Sequence, residues 1–290
     1  MPHHSAPASP PATHLVTVDW LAANLDRPNL VILDATVPYG PNGPDGDLGR
    51  ARWEAAHIPG AHYADLASGL SDTEASYSFA FPAIDRLVAS LEAFGIGNES
   101  VVVIYDDFLN MWATRIWWML RAIGFERAVV LDGGWRAWSA GEHAVASGAS
   151  VLAQPGRLTA RPQPSFTGIA RVLEKLDGLR TDTLVCALPE SYFNGTDAIG
   201  GRGGHIPGSV NIPAASLLDE TGKFLPLDEL RTRLAPLAGD TPITIYCGGG
   251  ISATVVAFAL SQIGREDVLV YDGSLEEWNA APDRPLQRGA

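Results

Sequence analysis

Four short stretches, "LVILDA" (30–35), "VVVIYDD" (101–107), "TLVCAL" (183–188) and "ITIYCGG" (243–249), hold short runs that are apolar at nearly every position, Thr183 and Thr244 apart. Such runs fit strands buried on both faces. Between and after them lie segments with the spacing of helices, including "ATRIWWMLRAIG" (113–124) and "ATVVAFALSQIG" (253–264). Short strands separated by helices predict an α/β fold with a central parallel sheet flanked by helices. In such sheets, sites form where the C-terminal ends of strands meet helix N-termini.

The pattern occurs twice. "AHIPGA" (56–61) answers "GHIPGS" (204–209), and "VVLDGGWRAW" (129–138) answers "VLVYDGSLEEW" (268–278). The strand runs pair off in the same order, so two copies of one domain explain the recurrence better than chance does. The chain has 290 residues, enough for two domains. We read a disordered tail at 1–13, an N-terminal domain at 14–146, a Pro-rich linker at 147–166 and a C-terminal domain at 167–290.

Composition narrows the function classes. With 46% hydrophobic and 18% charged residues, the chain has the profile of a soluble globular protein. Its formal charge of −13 repels polyphosphates and anionic lipid, so neither nucleic acid nor a membrane is an expected partner. No apolar run approaches the roughly 20 residues that a membrane helix needs. The opening "MPHHSAPASPPATH" has no Lys or Arg and no apolar segment, unlike a secretory or transit signal. Two cysteines make no disulfide framework, which points to the reducing cytoplasm and a free thiol at Cys247. The histidines lack metal-ligand spacing, and no metal or organic cofactor is expected.

The chemistry concentrates in "YCGGGISATVV" (246–256). Cys247 ends a strand run, Gly248, Gly249 and Gly250 follow, and a helix begins after Ile251 and Ser252, at Ala253. Consecutive glycines permit positive φ and close backbone approach, so several N–H groups converge on whatever the sulfur carries. The helix N-terminus adds about half a positive charge and favours the thiolate. A lone cysteine would equally serve as a small buried residue beside a tight turn, but strand, glycine turn and helix together favour a nucleophile. A phosphate-handling Cys-x5-Arg loop is excluded because Ala253 stands where the guanidinium belongs. No CxxC supplies a resolving thiol. What remains is a thiolate that takes up a sulfane sulfur, with main-chain donors stabilising the persulfide.

These features resemble the tandem-domain rhodanese family, the thiosulfate and 3-mercaptopyruvate sulfurtransferases, across residues 15–282. "CGGGISA" is closer to the mercaptopyruvate branch's Cys-Gly-Ser/Thr-Gly-Val-Thr-Ala than to the thiosulfate branch's Cys-Arg-Lys-Gly-Val-Thr-Ala. The resemblance implies two rhodanese-like domains with the nucleophile in the second alone; Asp106 occupies the first copy's equivalent of Cys247, as a solvated or capping acid. It implies transfer of sulfane sulfur from a small-molecule donor of the thiosulfate or 3-mercaptopyruvate type, through a Cys247 persulfide, to cyanide, a thiol or a protein Cys. The donor site would comprise Gly248, Gly249, Gly250, Ile251, Ser252 and Ala253, with Tyr192 and Arg202.

Departures from the family pattern matter here. Cys186 replaces an Asp, Leu188 an Arg, and Tyr192 the Arg that grips the donor; Ala198 replaces a further Arg, leaving Arg202 either as its substitute or as a surface charge. The mercaptopyruvate branch's Ser, Asp and His appear as Gly249, Ala67 and Phe79. Thiosulfate and 3-mercaptopyruvate are therefore expected to be handled weakly, and a weakly active binding or redox-sensing module of the same fold is the alternative. Cys186 reads as a small residue closing a strand, with a disulfide or sulfur relay to Cys247 as the other reading. His57 and His205 are expected to orient turns. Arg115, within "WATRIWWML", is expected to be solvated or to pair across the domain interface.

Overall fold

The computed structural model describes residues 13–40, 43–150 and 154–289. All of the expected tail but Thr13 lies outside these residues, as do 151–153 of the expected linker.

The chain divides into two compact units. The first takes the described residues of 1–71, 82–163 and 220–223, and the second those of 72–81, 164–219 and 224–290. Each is built on a five-stranded sheet in which every pairing is parallel. In the first unit the strands are β1 (Leu15–Val16), β2 (Leu30–Asp34), β3 (Ala61–Tyr63), β4 (Val101–Tyr105) and β5 (Ala128–Leu131). In the second they are β6 (Phe166–Thr167), β7 (Thr183–Cys186), β8 (Ser209–Asn211), β9 (Ile243–Tyr246) and β10 (Val268–Tyr271). The order β1-β5-β4-β2-β3 of the first sheet is matched by β6-β10-β9-β7-β8 in the second. The repeat seen in the sequence is thus a repeat of topology.

The consecutive apolar runs form the middle strands, as expected of strands covered on both faces. Val103, Ile104, Ile245 and Val270 are wholly buried, and each such side chain contributes about 1.5–3 kcal/mol relative to exposure. Helix 111–122 after β4 and helix 253–262 after β9 are apolar nearly all round, and both are buried on nearly every face. Arg115 lies inside the first of these helices with no exposure, so its expected solvation is incorrect: the apolar residues around it carry it into the core.

The HIPG turns are built alike. His57 Nδ1 lies 2.6 Å from the Trp53 carbonyl oxygen and His205 Nδ1 lies 2.7 Å from that of Phe193. Each ring stacks on the aromatic residue whose carbonyl it meets. The next residue's amide donates to a tyrosine hydroxyl at the end of a central strand, Ile58 to Tyr105 and Ile206 to Tyr246. Both histidines are buried and orient turns.

Residues 156–163 of the expected linker are laid against the first unit. The Gly156 amide donates to Glu92, Arg161 to Ile123 and Gln163 to Ala122. Phe166, read as the linker's end, is already in β6.

Candidate active site

Register places Tyr246 beside Cys186 in the second sheet, as Tyr105 lies beside Asp34 in the first. The chain leaves each tyrosine directly into the loop of interest, 247–252 in one unit and 106–110 in the other.

In the first unit the loop is filled by its own side chain. One carboxylate oxygen of Asp106 accepts the Phe108 amide at 2.7 Å, and the other accepts the Ala113 amide at 2.8 Å. Ala113 is the third residue of helix 111–122, so the carboxylate caps that helix. Asp106 is a capping acid and is buried, not solvated. Burial raises its pKa to about 7, against the lowering influence of the two amides.

In the second unit the same place holds Cys247, 2% exposed. Its amide donates to Ser274 Oγ at 3.0 Å, and its carbonyl accepts the Leu275 amide at 3.0 Å. The Gly248 carbonyl accepts the Glu276 amide at 2.8 Å. The start of helix 274–279 therefore clamps the first two residues of the loop. Gly250 adopts φ +73°, a value natural to glycine, and this turns the chain into helix 253–262. Ser252, which precedes that helix, makes no side-chain cap. The main-chain N–H groups of Gly248, Gly249, Ile251, Ser252 and Ala253 have no hydrogen-bond partner among the described residues. Uncapped amides at a helix N-terminus next to a thiol favour negative charge there.

Cys186 closes β7 and is 1% exposed. Both cysteines are free. Burial first, and the neighbouring Cys247 among smaller influences, push the Cys186 thiol up to about 12. It stays protonated at neutral pH, the condition of a packing residue and not of a relay nucleophile.

The other predicted donor residues are less uniform. Arg202 lies in a hairpin of 198–199 and 202–203, where its two terminal nitrogens donate to the Ala281 and Arg284 carbonyls at 2.9 and 2.5 Å. Its guanidinium is committed to holding the C-terminal segment. Tyr192 is half-buried on the short helix Glu190–Phe193, and its hydroxyl makes no hydrogen bond among the described residues. Ile199 of the hairpin reaches the loop: its Cδ1 is 3.5 Å from where a Cβ on Gly248 would stand.

Two residues missed from the sequence belong to this site. Ser274 takes φ +47° and holds the Cys247 amide. Glu276 brings a carboxylate oxygen to 3.1 Å from where a Cβ on Gly249 would stand. The internal repeat carries the signal for both, because aligning "DGGWRAW" with "DGSLEEW" puts Ser274 on Gly134 and Glu276 on Arg136.

Residues 17–141 and 161–281 each match the model of the Rhodanese-like domain. The chain belongs to the rhodanese family of sulfurtransferases. Among its rhodanese relatives, the thiosulfate/3-mercaptopyruvate sulfurtransferase 1 of Arabidopsis thaliana is 34% identical, over 94% of this chain and 78% of the relative. The probable 3-mercaptopyruvate sulfurtransferase of Pseudomonas aeruginosa is also 34% identical, over 96% of this chain and 99% of its own length. The solved rhodanese-fold structure of the Escherichia coli 3-mercaptopyruvate sulfotransferase SseA superposes with a TM-score of 0.79 at 30% identity, covering 91% of this chain and 99% of that one. Among the described residues no group of His, Cys, Asp and Glu is arranged to hold a metal ion, and no helix is long and apolar enough to cross a membrane.

Proposed function

We propose that this chain moves sulfane sulfur from a small-molecule donor to a thiophilic acceptor, a thiol, cyanide or a protein Cys, through a persulfide on Cys247. One observation carries the reading: the seat that Asp106 fills with a carboxylate in the first unit contains a thiol in the second, beside amides that lack partners among the described residues. A loop geometry that accepts a carboxylate on main-chain amides suits a persulfide, whose single negative charge is spread over two sulfurs. The Cys247 thiolate attacks the donor's outer sulfur, the donor leaves with the electron pair of the broken bond, and the acceptor then takes the outer sulfur from Cys247.

The donor class of the relatives, thiosulfate or 3-mercaptopyruvate, is the starting expectation for this chain. The lining is poor for it, since Leu188 and Tyr192 supply no guanidinium and Arg202 is engaged elsewhere. Loss of one charge-assisted contact costs about 2–5 kcal/mol, so kcat/KM with either anion should fall roughly 30-fold to several thousand-fold below that of a relative with the full clamp. Thiocyanate formation from each donor with cyanide as acceptor tests this. Slow transfer that disappears in Cys247→Ser is expected, and rates equal to those of such a relative would refute the donor part. The same missing guanidinium favours, as a second reading, a module that binds or senses with little turnover; it predicts no transfer from any donor.

A further inference from the structure

Glu276 stands beside the Cys247 loop, next to Gly248 and Gly249. Its Oε1 accepts both the amide and the hydroxyl of Ser78, at 3.0 and 2.9 Å. Ser78 belongs to the 72–81 segment of the same unit, which Asp272 also holds through Tyr77 and the Phe81 amide. The amide of Glu276 is bonded to Gly248, so the residue is tied to the loop at its backbone and to Ser78 at its side chain. Its second oxygen, Oε2, lies 3.1 Å from where a Cβ on Gly249 would stand, a tight contact for any side chain there. Glu276 and Gly249 are half-buried and Ser78 is exposed, and no cation pairs with Glu276 among the described residues. At the equivalent place in the first unit the chain has Arg136.

A fixed, unpaired carboxylate at a partly desolvated site repels anions and attracts cations more strongly than it would in water. Beside it, the amides of the loop favour negative charge on the sulfur itself. The two fields together suit a neutral outer sulfur that becomes part of a persulfide anion on Cys247, in a donor that is positive a few ångströms away. We propose that Glu276 is a specificity-determining residue of the donor site, which takes a hydropersulfide carrying an ammonium group and disfavours dianions such as thiosulfate. This rests on Cys247 being the sulfur carrier. The step balances without an oxidant: the Cys247 thiolate forms a bond to the outer sulfur of R–S–SH, the donor's S–S bond breaks, R–S⁻ leaves with the electron pair and takes up the proton, and Cys247 is left as the persulfide anion.

The test uses the full chain and its E276Q and E276A variants, with quenched intact-mass readings of the rate at which Cys247 gains sulfur. Three donors differ in charge: cysteamine persulfide with an ammonium group, N-acetylcysteamine persulfide without charge, and thiosulfate with two negative charges. Glutamine keeps an oxygen for Ser78, and E276A controls for that contact. The expected result is that both variants lower the ammonium-over-neutral rate ratio by about tenfold, raise the thiosulfate-over-neutral ratio by at least as much, and show a smaller change at high salt. Unchanged ratios, with Cys247 still taking sulfur from the neutral donor, would overturn the role of Glu276. If the wild-type chain takes sulfur from none of the three, the sulfur-carrier reading fails and this proposal falls with it.

Discussion

Asp106 and Cys247 occupy one position in two copies of a fold, and the proposed chemistry of the chain turns on the exchange of a carboxylate for a thiol. Burial of Asp106 raises its carboxyl to about 7, while in the unfolded chain it titrates as an ordinary aspartate. Between about pH 4 and pH 7 the folded chain therefore holds a proton that the unfolded chain has lost, so this group's contribution to stability is present in acid and is lost as pH rises through that window. The loss amounts to about 4 kcal/mol at most. Asp34, also raised by burial, acts in the same direction. Asp106→Asn should flatten the slope of unfolding free energy against pH over this window; urea titrations at pH 5 and pH 8 that gave the variant the wild-type slope would contradict the assignment. The residue scale was also where the sequence was most informative. Cys247, the loop glycines and the turn-forming histidines follow from residue type and neighbours. Glu276 does not follow from its neighbours; the repeat marks its position against Arg136, but the contact with Ser78 that fixes its side chain is 198 positions away in the chain.

Among elements, helix 274–279 has a larger part than its six residues suggest. Its first turn binds the amide and carbonyl of Cys247 and the carbonyl of Gly248. Ser274 pays for this with φ +47°, where the first copy has Gly134 at φ +53°. A non-glycine residue in that region costs about 1–3 kcal/mol, offset here by an oxygen that accepts from Cys247 and donates to the Tyr271 carbonyl. Ser274→Ala keeps the strain and loses the oxygen, so it should lower stability by about 1–2 kcal/mol and slow sulfur uptake at Cys247. Ser274→Gly relieves the strain without restoring the bond. Its stability should recover while uptake remains slow, and a return of wild-type uptake would show that the hydroxyl does not position the loop. The long apolar strands and the two buried helices were legible as elements because periodicity needs length. The two-residue edge strands β1 and β6 have none, which is why Phe166 was read as linker.

For the whole molecule, duplication is the organising fact. Both sheets have one strand order, both HIPG turns bond the tyrosine that ends the equivalent central strand, Tyr105 in one and Tyr246 in the other, and the loop after that tyrosine begins with Asp106 in one copy and Cys247 in the other. The duplication was visible because four phrases recur in the same order. The exchange of segments 72–81 and 220–223 between the halves of the sequence was not visible, since each is held by side-chain and main-chain bonds to distant residues, as in Asn110 to the Gly222 carbonyl. The account as a whole depends on Cys247 holding a second sulfur. The most direct measurement is the intact mass of the chain after exposure to a sulfane-sulfur donor with no acceptor present. A gain of about 32 Da, located on the peptide containing Cys247 and absent from Cys247→Ser, is the predicted result. No gain with any donor, or a gain that survives in Cys247→Ser, would contradict it.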